Sequence, residues 1–317
     1  MQTNMTSSNF VHEEWKRIKI YHGSKSTCLK EWISGMKSSL IQEMTNSGGI
    51  LLRGFPFDSM SAFDDALDLI YPKRLNYIYR STPRKELGKK IYTTTEYPAH
   101  KTIPQHNENS YSNAWPAYII FYCSIPSPVG GRTPLTDSRM ILQELPSDII
   151  EKFERLKVMY IRNYTYGIDL SWQEVFQTDD KKQVEKYCDE NQIKYSWSSS
   201  GPELTTKQTC QSTFSHPTTK EKVWFNQAHL FHPSNLDENE RSSLANILKP
   251  HEFPRNAVYG NGEEIEPEVL QLINKAYNKH LFSFQWQKGD VLFLDNVLTT
   301  HGREPFQGTR KIAAAMV

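Results

Sequence analysis

The sequence has little cysteine, almost no net charge and no long hydrophobic run. Its four cysteines are far apart and form no CxxC pair, which favours separately buried thiols over a disulfide framework or a zinc knuckle. Thirty-seven basic and 36 acidic residues leave a formal charge of +1, too little to attract a phosphate backbone. No stretch approaches the roughly 20 apolar residues of a membrane-spanning helix, and the polar N-terminus is not a secretory signal. We therefore expect a cytoplasmic protein that binds neither nucleic acid nor membrane.

Internal repeats, low-complexity tracts and linkers rich in proline, glycine or serine are also absent from the sequence. A length of 317 residues allows one large domain or two small ones, at roughly 100 to 200 residues per domain. Because nothing marks a boundary, we expect a single domain over residues 1–317. The 38% of hydrophobic residues and 12% of aromatic residues are typical of a globular protein with an ample core.

Apolar residues recur at helical spacing in two segments near the N-terminus. One predicted helix begins near Leu29, and a second covers Met60 to Tyr71 with Ser59 as its N-cap. The run Ile50 to Phe55 between them is short, apolar and β-prone, and it predicts a buried strand. These elements form an opening layer of helix, strand and helix.

From about residue 76 onward, many short β-prone runs favour a sandwich or barrel. The runs are Tyr77 to Tyr79, Tyr118 to Cys123, Val158 to Asn163, Ile193 to Trp197, Val223 to Phe225, Phe282 to Trp286 and Val291 to Leu294. Capping residues predict three helices among them, which we expect to pack outside the β core as insertions. They are Asp148 to Leu156, Lys181 to Glu190 and Glu268 to His280.

Three residues have the chemistry of a metal site. His106 and Glu108 are two residues apart, and on an extended backbone side chains at that spacing emerge on the same face. Alone, this pair is also explained by a structural histidine, so a third ligand is needed. His301 follows the apolar strand Val291 to Leu294 and precedes a glycine that allows close backbone approach. Two histidines and one carboxylate form the facial triad of non-haem Fe(II) oxygenases, with open positions for oxygen and a co-substrate.

An arginine beyond the triad has the properties of an anion-binding residue. Arg310 begins the small apolar run that ends the chain, where an unpaired buried charge would be costly. A co-substrate carboxylate can accept two hydrogen bonds from its guanidinium. Thr133, after the glycine pair of GGRT, can donate a hydroxyl to the same carboxylate. The alternative is that Arg310 pairs with a protein acid such as Glu304.

The residues around these positions resemble a known family. HNENSYSNAWPAYIIFYCSIPSPVGGRTPLTDSR, followed at long range by HGREPFQGTR, is similar to the TauD/TfdA-like Fe(II)/2-oxoglutarate dioxygenases, and most similar to their SyrP-like and clavaminate-synthase-like branch. The resemblance extends from about Gly48 to the C-terminus. It implies a mainly β protein with a double-stranded β-helix, or jelly-roll, core and helices packed outside.

The resemblance also implies an activity and its cofactors. His106, Glu108 and His301 would bind Fe(II), while Arg310 and Thr133 would hold the distal carboxylate of 2-oxoglutarate. With O2, such an enzyme hydroxylates an unactivated C–H bond of a small polar substrate and releases succinate. The same centre could instead perform desaturation, cyclisation or epimerisation. From another class, the chain could be a catalytically dead jelly roll that binds a ligand or regulates a partner.

Substrate contacts are the least determined part of the prediction. Asn109 and Tyr111 would face the site if the strand of His106 continued, and resemblance suggests Asn226. Arg303 could meet a substrate carboxylate or form a surface salt bridge. SyrP-like relatives oxidise amino acids, some of them tethered to a carrier protein of a peptide synthetase. We therefore expect an amino-acid-derived substrate, a role in natural product biosynthesis, and an acyl or peptidyl carrier protein as a candidate partner.

Overall fold

The structure is a computed structural model that describes residues 7–9, 18–75, 79, 85–94, 97–165, 167–199 and 201–317. Residues 77 and 78 of the predicted strand at Tyr77 to Tyr79 lie outside this range. Within the described part of the chain, no helix combines the length and apolar character needed to cross a bilayer.

Short strands make up most of the regular structure. In the described residues the strands are β1 (Ser7–Asn9), β2 (Lys19–His22), β3 (Gly49–Arg53), β4 (Glu86–Gly88), β5 (Ile91–Thr93), β6 (Ile103–His106), β7 (Tyr118–Ile125), β8 (Val129–Gly130), β9 (Thr133–Asp137), β10 (Val158–Tyr164), β11 (Lys194–Trp197), β12 (Leu204–Cys210), β13 (Thr213–Ser215), β14 (Lys222–Trp224), β15 (Arg255–Tyr259), β16 (Phe282–Phe284), β17 (Val291–Asp295), β18 (Thr299–Arg303), β19 (Phe306–Gln307) and β20 (Lys311–Met316).

Helices occupy the N-terminal region and the middle of the chain. They are α1 (Leu29–Ser47), α2 (Met60–Ile70), α3 (Ser138–Glu144), α4 (Ser147–Leu156), α5 (Trp172–Phe176), α6 (Lys181–Glu190), α7 (Ala228–Phe231), α8 (Glu238–Ala245) and α9 (Pro267–Lys279), with short 3-10 turns at Pro233–Asn235 and Pro250–Glu252. The five helices predicted from spacing and capping are confirmed to within a few residues, because each has the amphipathic spacing that burial of one face requires.

Two antiparallel sheets enclose the central core. The large sheet has the strand order β1-β2-β3-β17-β7-β20-β5-β4, in which only β2 and β3 run parallel, and the small sheet has the order β16-β9-β18-β6. Side chains alternate between the faces of each strand. Ile119 and Phe121 of β7 therefore point between the sheets, where they join Leu135 of β9 and Phe284 of β16 in one buried cluster. This pair of facing sheets confirms the jelly-roll expectation.

The two N-terminal helices cover the outer face of the large sheet. Ile120 and Tyr122, the alternate residues of β7, are buried there with Ile33 of α1 and Phe63 of α2. Ring stacking of Phe63 on Tyr122, with centroids 5.0 Å apart, fixes α2 against the sheet. This packing confirms that the N-terminal helices lie outside the β core.

The middle of the chain differs from the prediction. Strands β10, β11, β12 and β15 form a separate sheet of order β11-β12-β10-β15, with its own core against α4, α6 and α9. We expected the runs at Val158 to Asn163 and Ile193 to Trp197 to join the sandwich, and this expectation was wrong. Of the strands that complete their pairing, β12 has five polar residues among seven and so lacks the apolar pattern of a strand, and β15 has a run of only three apolar residues, Ala257 to Tyr259.

A buried ion pair joins β3 to the residue that immediately precedes β17. Arg53 of β3 donates from Nε and Nη2 to the carboxylate of Asp290, at 3.0 and 2.6 Å, and the Asp290 side chain is fully buried. Replacing Arg53 with alanine would leave that carboxylate buried without its partner. We expect the free energy of unfolding in a urea titration to fall by about 3 kcal/mol.

The exposed ion pair of Arg241 and Glu238 on α8 provides the control. Arg241→Ala should cost less than about 1 kcal/mol. Equal losses for the two variants would show that the Arg53 pair is not a structural link.

Candidate active site

Two histidines from neighbouring strands face each other in the small sheet. His106 ends β6, and His301 lies on β18 directly opposite it in the antiparallel register. Their ring centroids are 4.5 Å apart. The pairing of β6 with β18 therefore brings together two residues that are 195 positions apart in the sequence.

Glu108 completes the group, but not in the way that the sequence suggested. We assumed an extended backbone from His106 to Glu108, whereas β6 ends at His106 and Glu108 lies in a turn. Asn109, the next residue, has a left-handed backbone with φ of 55°. The turn still brings Glu108 Oε2 to 3.6 Å from His301 Nε2. In the described residues this is the one group of three or more His, Cys, Asp or Glu side chains able to hold a metal, with ligand atoms all within 4.8 Å of one another.

The donor set fits a ferrous ion. His106 donates from Nδ1 to the Pro104 carbonyl at 2.9 Å, so its Nε2 carries the lone pair that a metal needs. Glu108 and His301 are both buried, at 2% and 5% exposure. A carboxylate and two imidazole nitrogens converging away from water form an arrangement that a cation stabilises, and this ligand combination is the facial triad of non-haem iron oxygenases.

Arg310 and Thr133 lie in the cavity beside the two histidines. Its lining residues are Thr94, Ile103, His106, Phe121, Thr133, His301, Gly302, Arg303 and Arg310. Arg310 donates from Nε to the Gly131 carbonyl at 3.0 Å, which orients the guanidinium. Thr133 Oγ1 accepts a hydrogen bond from the indole of Trp286 at 3.0 Å and can still donate its own proton.

The charge of Arg310 favours an anion in this cavity. Burial, together with the nearby positive charge of Arg303, lowers the pKa of Arg310 to about 10, so the guanidinium stays protonated at neutral pH. No ion pair joins Arg310 to Glu304 or to another acid among the described residues, contrary to the alternative considered above. A half-buried cation without an acidic partner among the described residues is a favourable site for a ligand carboxylate.

Arg303 is neither solvent-exposed nor paired with an acid in the described part of the chain. Its guanidinium donates to the carbonyls of Tyr97, Pro98 and Lys101 at 3.0, 2.7 and 2.8 Å. The surface salt bridge that the sequence left open is therefore wrong. Arg303 holds the segment 97–101 against the cavity and lines the cavity wall itself.

The other three candidates for substrate contact have different surroundings. Tyr111 is buried and donates its hydroxyl to the Tyr79 carbonyl at 2.8 Å. The Asn226 amide donates to Ser212 and accepts from the backbone of Ala228, so both its ends are used within the fold. Asn109 differs from both because its buried Oδ1 has no hydrogen-bond partner in the described residues.

Sequence reasoning missed two features of this region. The first is the hydrogen bond from the Trp286 indole, which orients the Thr133 hydroxyl. The sequence indicated this contact only in the general sense that a buried indole N–H needs an acceptor. The second feature is a groove of about 720 Å3 that is lined by Tyr97. The Tyr97 carbonyl accepts a hydrogen bond from Arg303, which lines the cavity. A larger groove of about 920 Å3 lies on the outer face of the separate sheet and contains none of the three ligand candidates.

The groove at Tyr97 contains both signs of charge. Arg255 donates to the two carboxylate oxygens of Asp169 at 2.6 and 2.9 Å on its wall. Burial raises the pKa of Asp169, but the charge and the hydrogen bonds of Arg255 outweigh burial and lower that pKa overall. The carboxylate is therefore ionised at neutral pH. The aromatic ring of Phe231 lies beside the Arg255 guanidinium, with 5.8 Å between the guanidinium carbon and the ring centroid.

Comparisons with known proteins agree with this geometry. The Dapdiamide synthesis protein DdaC of Enterobacter agglomerans is 41% identical over 274 residues, which are 86% of this chain and 83% of that protein. A clavaminate synthase-like protein of Arabidopsis thaliana is 26% identical over 294 residues, covering 90% and 86% of the two chains.

Solved structures share the fold. The crystal structure of PvcB from Pseudomonas aeruginosa matches with a TM-score of 0.58 at 14% identity, over 100% of this chain and 92% of that one. AAD-2, crystallised with Mn(II) and N-oxalylglycine, matches with a TM-score of 0.57 at 12% identity, over 99% and 96%.

The sequence model described as "Taurine catabolism dioxygenase TauD, TfdA family" matches residues 29–316 of this chain. With the identity to DdaC and the convergence of two histidines with one carboxylate, this match shows that the chain belongs to the TauD/TfdA family of Fe(II)- and 2-oxoglutarate-dependent dioxygenases.

Proposed function

We propose that His106, Glu108 and His301 bind Fe(II), and that the enzyme hydroxylates an unactivated C–H bond of a small amino-acid-derived substrate. The observation that carries the proposal is the convergence of the three ligand atoms within 4.8 Å beside a cavity containing Arg310. Arg310 and Thr133 hold the distal carboxylate of 2-oxoglutarate. Residues 1–317 act as one catalytic domain, in keeping with a family match over almost the whole chain.

The protein contributes position and environment. When bound, the ferrous ion supplies the redox chemistry that uses O2 to couple decarboxylation of 2-oxoglutarate to oxidation of the substrate. His106 is held in one orientation by the Pro104 carbonyl, and Arg310 by the Gly131 carbonyl. Phe121 and Ile103 line the cavity with apolar surface and exclude water from it.

Two observations support an amino-acid-derived substrate. DdaC, the relative of 41% identity, is named for dapdiamide synthesis, which favours a role in natural product biosynthesis. The groove beside the cavity has a carboxylate and a guanidinium on one wall, at Asp169 and Arg255. Asp169 can accept a further hydrogen bond from the ammonium group, which an amino acid keeps when its carboxyl group is joined to a carrier protein as a thioester.

The size of the groove favours a substrate larger than a free amino acid. Its volume of about 720 Å3 is in the range that accommodates drug-sized ligands. We therefore propose that the substrate is carried by an acyl or peptidyl carrier protein, with the tether in this groove.

The test is a screen of free and carrier-bound amino acids for succinate release, with mass analysis of each product. We expect turnover of a carrier-bound amino acid and little turnover of the free one, with a gain of one oxygen in the product. Equal rates on both forms would contradict the tethered substrate. A loss of two hydrogens would assign desaturation or cyclisation instead of hydroxylation, and an unchanged mass with succinate release would assign epimerisation, because substrate position decides the outcome.

A further inference from the structure

Glu108, the carboxylate among the candidate metal ligands, lies in a turn beyond the end of a strand of the small sheet. Glu108 is 2% exposed and lies just beyond the end of β6, whose pairing with β18 ends at His106, so its backbone N–H and C=O are buried. Buried backbone groups need hydrogen-bond partners. Both backbone groups of Glu108 bond to the side chain of Asn296, 188 residues further along the chain.

The side chain of Asn296 hydrogen-bonds to the Glu108 backbone in the way that a neighbouring strand would. Its Oδ1 accepts from the Glu108 N–H at 2.6 Å, and its Nδ2 donates to the Glu108 carbonyl at 3.0 Å. The same Nδ2 donates to the carbonyl of Pro116 at 2.8 Å. One amide therefore holds residue 108 from both sides of its backbone, as an antiparallel neighbour would.

The backbone of Asn296 is itself fixed. The residue is fully buried, its N–H donates to Ala117 at 2.9 Å, and its carbonyl accepts from the side chain of Asn107 at 2.6 Å. Asn296 follows β17 directly and lies five residues before His301. It therefore connects the turn that carries Glu108 to the loop that leads from β17 to His301 on β18.

A second set of contacts fixes the loop between β17 and β18, through the neighbouring residue Asp295. Asp295 accepts at Oδ1 from the backbone N–H groups of Val297 and Leu298, at 3.0 and 3.1 Å. His216 Nδ1 accepts from backbone N–H groups, so its Nε2 donates to Asp295 Oδ2 at 3.0 Å. The position of Asn296 is thus determined on both sides.

We infer that Asn296 is a positioning residue that sets the direction of the Glu108 carboxylate toward the two histidines. The inference rests on the proposed function, since it assumes that Glu108 binds the metal. Asparagine is required because it offers one acceptor and one donor group on the same short side chain. Aspartate keeps the acceptor but turns a carboxylate toward two carbonyl oxygens, and alanine removes both hydrogen bonds to the Glu108 backbone.

The test is anaerobic titration of the metal-free protein with Co(II), followed by visible absorption. Loss of groups that orient metal ligands typically costs about 10- to 100-fold in affinity. We expect Asn296→Asp to weaken Co(II) binding by about 10-fold and Asn296→Ala by up to about 100-fold. The absorption spectrum of the bound Co(II) should also change, because the carboxylate no longer holds its place in the coordination shell.

Asn163→Ala is the matched control. The Asn163 amide also donates to two carbonyls, those of His251 and Phe253, and accepts one hydrogen bond, from Thr205, but it lies in the separate sheet. We expect Asn163→Ala to lower the melting temperature while keeping wild-type Co(II) affinity and spectrum. If Asn296→Ala does not fold, the Co(II) affinity and spectrum of Asn296→Asp test the inference instead.

The outcomes separate this inference from the proposed function. Wild-type Co(II) affinity in Asn296→Asp, or an equal loss in Asn163→Ala, would overturn the positioning role. His106→Ala is measured alongside. If it retains wild-type affinity, the proposed metal site is wrong; if it alone loses binding, only the role of Asn296 is wrong.

Discussion

Substrate-dependent succinate formation is expected to disappear when His106 or Glu108 is replaced with alanine. Each substitution removes one of the three ligand atoms that converge within 4.8 Å. Loss of a residue that merely orients a ligand costs about 10- to 100-fold, so loss of the ligand itself should exceed about 100-fold. The measurement is succinate released per enzyme with saturating Fe(II) and 2-oxoglutarate, using the substrate identified by the screen.

A histidine outside the site provides the control for this prediction. The side chain of His251 is 75% exposed and lies in the 3-10 turn at Pro250–Glu252. His251→Ala should keep wild-type turnover. Undiminished turnover in His106→Ala or Glu108→Ala, with added Fe(II), would contradict the assignment of the ligands.

Replacing Arg310 with glutamine is expected to weaken the binding of 2-oxoglutarate by roughly 100-fold. The Arg310 side chain is half-buried, has no acidic partner among the described residues and lies in the cavity with Thr133. Removing one member of a buried, hydrogen-bonded charge pair costs about 2–5 kcal/mol, and about 3 kcal/mol corresponds to roughly 100-fold. The KM for 2-oxoglutarate should rise while the rate at saturation changes little, because the contact is the same in the ground state and the transition state.

Two further variants make the Arg310 prediction specific. Arg310→Lys keeps the charge but not the planar two-point geometry, so its KM should fall between those of the wild type and Arg310→Gln. Arg241→Gln, on the exposed face of α8, should leave the KM unchanged. An unchanged KM in Arg310→Gln would show that the distal carboxylate is held elsewhere.

The elements that the sequence predicted well are those with a simple burial pattern. α6 was predicted at Lys181 to Glu190 and has those bounds, because Asp180 caps it and one face of it is apolar. β17 was predicted as Val291 to Leu294 and is longer by one residue, since every residue in it is buried. In these cases local pattern and tertiary environment agree.

The elements that the sequence did not predict depend on polar residues buried by tertiary contacts. β12 has Thr206 and Gln208 among its inward residues, and Gln208 donates to the carbonyl of Asn191 at 2.8 Å. Such a strand lacks the apolar alternation that identifies strands in a sequence. The separate sheet built on β12 was missed for that reason.

The candidate site also has features that the sequence predicted and features that depend on tertiary contacts. Residue types and the family resemblance brought His106, Glu108 and His301 together, but the reason given for Glu108, an extended backbone, was wrong. The turn at Glu108 depends on Asn296, a contact across 188 residues that no local pattern contains. Tyr111 was considered for substrate contact because the strand was assumed to continue; the turn directs it into the core against Phe231 instead.

A crystal structure of the protein with Mn(II) and N-oxalylglycine would show directly which side chains bind the metal and the co-substrate. We expect one metal ion bound by His106, Glu108 and His301, with the far carboxylate of N-oxalylglycine hydrogen-bonded to Arg310 and Thr133. A metal ion bound elsewhere, or an N-oxalylglycine carboxylate out of reach of Arg310, would contradict this expectation.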